Sequence, residues 1–108
     1  MKAILLGSGL MLAIAHPAQA QQAYLNCNHL VSTSEDRMNE ALNASVRTGK
    51  QHPDFCKAQF AANKAINDWL KAAEICRSRM ADYDNRVAQV RGAKQTATYV
   101  ILTNCKIN

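Results

Sequence analysis

The stretch DFCKAQFAANKAINDWLKAAEICRSRMADYDNRVAQVR, from Asp54 to Arg91, decides the fold. It contains neither Gly nor Pro, and its apolar and small residues recur every seven: Phe55, Ala62, Trp69, Cys76, Tyr83, Val90. A second row, offset by four, holds Ile66, Ala73, Met80 and Val87. This alternation of threes and fours predicts a helix with one seam facing a partner. Lys57, Lys64 and Lys71 stand two places beyond the first row, on the outward side. Pro53-Asp54 suits the helix start, with a fixed φ and a carboxylate at the positive end of the dipole. Gly92 suits its stop. Unbroken, the helix would be about 57 Å long. A break is expected, if anywhere, near Asp82-Tyr83-Asp84-Asn85, because Asp and Asn are poor mid-helix residues.

Upstream, Ser32-Thr33-Ser34-Glu35-Asp36 reads as a capping box opening a shorter helix with Met38, Ala41, Leu42, Ser45 and Val46 on one side. Tyr24, Val31, Met38 and Ser45 are also seven apart, which allows a start nearer Tyr24. Thr48-Gly49 ends this helix, and the tight link from Gly49 to Pro53 makes the two helices an antiparallel hairpin. Downstream, Thr96-Ala97-Thr98-Tyr99-Val100-Ile101-Leu102-Thr103 is rich in β-branched and aromatic residues. That composition favours an extended tail, with a third helix as the alternative. The expected fold class is therefore mainly α: one short and one long helix, an extended or helical C-terminal tail, and two disulfides.

Residues 1–20 read as an export signal. Met1-Lys2 gives the positive start, Ala3 to Ala15 the apolar run, and Ala18-Gln19-Ala20 the small residues a signal peptidase needs. The run is too short to cross a bilayer of roughly 30 Å. Cleavage after Ala20 leaves a single small domain, 21–108, in the periplasm or the medium, with no stable membrane insertion. The composition, 13 Lys+Arg against 8 Asp+Glu and 48% apolar residues, excludes a disordered chain. It leaves room for one domain only.

All four cysteines, Cys27, Cys56, Cys76 and Cys105, lie in the mature part. An even number in a small exported domain reads as two disulfides, because such a domain buries too little to hold together unaided. Close Cys pairs for zinc and the Cys-x-x-Cys of redox enzymes are absent. Along one helix Cys56 and Cys76 sit about 30 Å apart, far beyond disulfide reach. Two patterns remain: Cys27–Cys76 with Cys56–Cys105, or Cys27–Cys56 with Cys76–Cys105. A tail running from Gly92 to Cys105 reaches about 45 Å, short of the 54 Å back to Cys56 along an unbroken helix, which favours the second.

Nothing in the sequence points to catalysis, a cofactor or a resident metal. The mature chain has two imidazoles, His29 beside a cystine half and His52 in the turn next to Pro53, and both read as exposed polar residues. The acids fall beside bases at helix spacing (Asp54 with Lys57, Lys64 with Asp68, Lys71 with Glu74), as ordinary surface pairs do. The basic surplus lacks interleaved aromatics, and export disfavours nucleic acid. The functional expectation rests on packing instead. A short partner helix cannot cover the whole seam, which leaves Met80, Tyr83, Val87 and Val90, with Tyr99 and Ile101 of the tail, as an interaction surface. The chain is thus expected to be a non-catalytic exported protein that binds another envelope or exported protein or a second copy of itself. An accessory part of a secretion or conjugation system fits that description. An inhibitor of an exported hydrolase, of lysozyme or protease type, presenting the Thr48–Pro53 turn is the alternative. A third reading is metal handling through Cys27, His29, Met38 and Met80, or a chaperone-like role. In size, helicity and export the chain is similar to acid-protective periplasmic chaperones and secretion pilot proteins, with no motif of either aligning.

Overall fold

A computed structural model of the chain describes residues 26–105. Residues 1–20, read above as an export signal, lie outside the described residues. Three helices of nearly equal length follow one another: α1 (Cys27–Arg47), α2 (Phe55–Ile75) and α3 (Tyr83–Asn104). A single 3-10 turn, Arg77–Arg79, lies between the last two. The described residues contain no strand.

The long helix expected from Asp54 to Arg91 is two helices. It stops at Ile75, and the chain reverses through Met80 in an extended conformation and Asp82 in the left-handed region, φ 58°. The break ends at Asp82, the first of the four residues named as its expected place, and begins earlier, after Ile75. The unbroken helix fails for a physical reason. A 38-residue apolar stripe needs a partner of its own length, and α1 is too short to be one. Breaking the stripe lets its second half cover its first. Ile66, Trp69 and Ala73 of α2 accordingly share one buried cluster with Val87 and Val90 of α3 and with Met38 of α1. Met80, in the link, packs on this cluster and on a second one formed by Cys27, Val31 and Cys76.

The tail is helical and belongs to α3, so the extended alternative is set aside. Ala97 and Ile101 continue the buried side of Val87 and Val90 at helical spacing, and all four are buried. Packing outweighs the β-branched composition. Two of the tail's threonines bond back inside the helix: Thr96 Oγ1 donates to the Gly92 carbonyl at 3.2 Å and Thr103 Oγ1 to the Tyr99 carbonyl at 2.8 Å. Gly92 does not stop the helix, and a methyl group placed there would meet nothing within 4 Å.

The other boundaries are closer to expectation. Asp54 caps α2 by position, and Thr48 ends α1. The capping box at Ser32–Asp36 is instead interior to α1, which begins at Cys27, where Cys27 and Val31 are buried.

Both disulfides form, as Cys27–Cys76 and Cys56–Cys105, each joining residues 49 apart. The favoured alternative, Cys27–Cys56 with Cys76–Cys105, is therefore corrected. It rested on an unbroken helix; once α3 turns back along α2, Cys105 lies beside Cys56, with Cα atoms 5.8 Å apart. Each bond ties the start of one helix to the end of the next, so α1 with α2, and α2 with α3, run antiparallel. Helix α2 packs against both neighbours, whereas α1 and α3 scarcely touch. Between α1 and α3 the contact is by side chains, Met38 within the shared cluster and Glu35 with Arg86.

Candidate functional site

The open side between α1 and α3 is divided by one polar junction. Arg86 of α3 donates to Glu35 Oε1 of α1. The same oxygen accepts from Trp69 Nε1 of α2 at 3.3 Å, so one carboxylate ties all three helices. The Arg86 guanidinium also lies 5.7 Å from the Trp69 ring centre, a cation–π distance. Trp69 is only 1% exposed. The junction therefore meets the polar need of the largest buried side chain, as a buried indole requires.

On one side of this junction, near the first turns of α1, lies a polar recess of about 370 Å³ lined by Asn28, Ser32, Glu35, Asp36, Arg79 and Arg86 among others. On the other side, toward the α1–α2 turn, lies an apolar groove of about 400 Å³. Helix α1 supplies Leu42, Ser45 and Val46 to it, and α2 supplies Phe55, Gln59 and Ala62. Helix α3 supplies Ala93, Thr96, Ala97 and Val100, and Lys50 in the turn is the one charged lining residue. Two lining polar groups are already satisfied: Gln59 Nε2 donates to the Ser45 carbonyl at 3.2 Å, and Ser45 Oγ donates to the Leu42 carbonyl at 2.7 Å. Val46, 82% exposed, stands on the rim. A concave, mostly apolar surface with few polar groups, in the volume range of about 300–1,000 Å³, is the usual form of a binding site.

The structure redistributes the residues expected to form an exposed seam. Val87, Val90 and Ile101 are buried in the chain's own core, and Met80 and Tyr83 are half-buried against it. The bare seam from Met80 to Val90 is thus covered by α2, for the reason given above. Tyr99 alone of the six is exposed, at 68%, together with Leu102 three residues on. Tyr83 carries the Arg77 guanidinium 5.1 Å from its ring centre. The groove is lined instead by Leu42, Phe55, Thr96 and Val100, which the sequence placed in its apolar rows or its tail but in no interaction surface, and by Ala93.

The two imidazoles lie at opposite ends of α1, His29 in its first turn and His52 in the turn beyond its end, where Nδ1 accepts from the Asp54 backbone N–H at 3.0 Å. Of the four residues in the metal reading, Cys27 is in a disulfide and Met38 is packed in the core. Of the surface pairs, Lys64–Asp68 forms, at 2.9 Å, with both side chains largely exposed. No helix among the described residues is long and apolar enough to cross a membrane. Comparison of the chain with protein-family models, characterised proteins and solved structures gave no match.

Proposed function

We propose that the chain is an exported, non-catalytic protein that binds another envelope or exported protein, with an accessory place in a secretion or conjugation apparatus as the setting to test first. The observation that carries this reading is the apolar groove between α1 and α3. Its walls are held by a scaffold with a disulfide at each end, so the groove keeps its shape when empty, and binding then costs little ordering. The disulfides also support export, because they persist in oxidising compartments. A photo-crosslinking residue placed in turn at the exposed positions Val46, Tyr99 and Leu102 tests the reading in living cells. One discrete protein adduct at one or more of these positions is expected. A folded chain that gives none at all three contradicts it.

A second reading, an inhibitor of an exported hydrolase, draws on the α1–α2 turn. Residues 49–54 are all exposed, and the His52 N–H donates to the Gly49 carbonyl and the Phe55 N–H to the His52 carbonyl. A short turn fixed in this way, two residues from a disulfide, is the kind of loop that enters a cleft. Inserting six residues after Gly49 should abolish inhibition of a susceptible lysozyme or protease; inhibition that survives the insertion removes the reading.

A further inference from the structure

We infer that the apolar groove receives an acidic amphipathic helix of the bound protein, which takes the place of a fourth helix in the bundle. The inference rests on the protein-binding reading above and names the partner's chemistry.

Shape argues for a helix. Helices α1 and α3 flank α2 and meet at the Glu35–Arg86 junction, and beyond it toward the α1–α2 turn they leave a groove open over α2. One more helix would fill it as in a four-helix packing. The floor runs from Phe55 to Ala62 and the α3 wall from Ala93 to Val100. Each span is seven residues of helix, about 10.5 Å. A guest helix with apolar residues at i, i+3 or i+4, and i+7 covers the same distance and presents one stripe to it. The groove ends toward the Glu35–Arg86 junction, beyond which the surface turns polar, so two turns are what the guest buries.

Charge argues for an acidic guest. Around the α1–α2 turn at the end of the groove the chain carries Arg47, Lys50 and Lys57 against Asp54 alone. Ala93, Thr96, Ala97 and Val100, which α3 gives to the groove, include no acid. No lining residue of the groove is acidic, and Lys50 lines the groove itself. Such a rim speeds encounter with acidic partners and disfavours basic ones.

The test uses the full chain in its own cell, with p-benzoylphenylalanine at Val46, and mapping of the crosslinked peptide by mass spectrometry. The peptide should lie in a helix-patterned segment with apolar residues at i, i+3 or i+4 and i+7 and a net negative charge. Lys50→Glu, and independently Thr96→Glu in the groove wall, should each lower the adduct yield about fivefold. Lys50→Arg should leave it unchanged, and the crosslinker at Lys94, outside the groove, should give no adduct. A basic or unpatterned peptide, a second copy of this chain, a segment of the same chain or a lipid in the adduct overturns the inference. So does a yield indifferent to both Glu variants. Adducts from Tyr99 or Leu102 without any from Val46 also overturn it while leaving the protein-binding reading standing; no adduct anywhere removes both.

Discussion

Replacing Cys56 and Cys105 together by Ala opens the tie between the start of α2 and the end of α3. The bond closes a loop of residues 49 apart, and the chain-entropy relation gives about 4 kcal/mol for a loop of that length. Cys27–Cys76 spans the same 49 residues, so chain entropy alone makes the two ties equal. Their surroundings differ. Cys27 and Cys76 are buried beside Val31, at 4% and 0% exposure, while Cys56 and Cys105 are only half-buried. Truncating the first pair therefore also forfeits buried sulfur, adding about 1 kcal/mol or more. The expected losses are about 4 kcal/mol for Cys56→Ala/Cys105→Ala and about 5 kcal/mol for Cys27→Ala/Cys76→Ala, from a total of about 5–15 kcal/mol. Urea unfolding read by the fluorescence of Trp69, the one tryptophan, measures both. Thermal midpoints should fall by roughly 15 °C or more. A loss under about 1 kcal/mol in either variant, or a greater loss in the Cys56/Cys105 variant, would refute the reasoning.

Three further outcomes follow from single positions. Gly92→Ala should stabilise by about 0.5–1 kcal/mol, because the residue is exposed inside α3 and the added methyl meets nothing; destabilisation in the same unfolding assay would mean that α3 does not run through this point. Asp82→Gly should stabilise by up to about 1 kcal/mol, and Asp82→Val should destabilise by a similar amount or more, since φ 58° suits glycine and strains a β-branched residue. Equal stability of the two variants would contradict the reversal at Asp82. Arg86→Ala should cost about 1 kcal/mol and shift Trp69 emission to the red, because both partners of the Glu35 pair are about a third or more exposed and screening limits its worth. Unchanged emission would show that the three-helix junction does not form.

Much of the helical content could be read from the chain, because α2 carries its whole stripe in the seven-residue rows of Phe55, Ala62 and Trp69. The same rows continue past Gly92 to Ala97 and Ile101, which would have marked the tail as helix; the β-branched residues between them concealed it. The break was legible only as a weak point, since nothing local at Arg77–Met80 forbids a helix. What forces it is the lack of a partner for a long stripe, a property of the whole chain. The disulfide pattern was also partly written in the spacing. Twenty residues of helix turn through about 200° beyond whole turns, so Cys56 and Cys76 address opposite sides of α2. That observation selects the pairing only once a helix is known to lie on each side. The groove and the Glu35–Arg86 pair, 51 residues apart, left no trace in the sequence, because each is made by three helices meeting.

The most direct test is a tryptic peptide map of the unreduced protein isolated from its cell. With cleavage after Ala20, the segment from Gln21 to Arg37 should be joined to Ala72–Arg77, and Gln51–Lys57 to Gln95–Lys106, with no free thiol. Those two joined pairs require an oxidising compartment and the reversal between α2 and α3. Peptides pairing Cys27 with Cys56, reduced cysteines, or a mature chain that retains Met1 would contradict it.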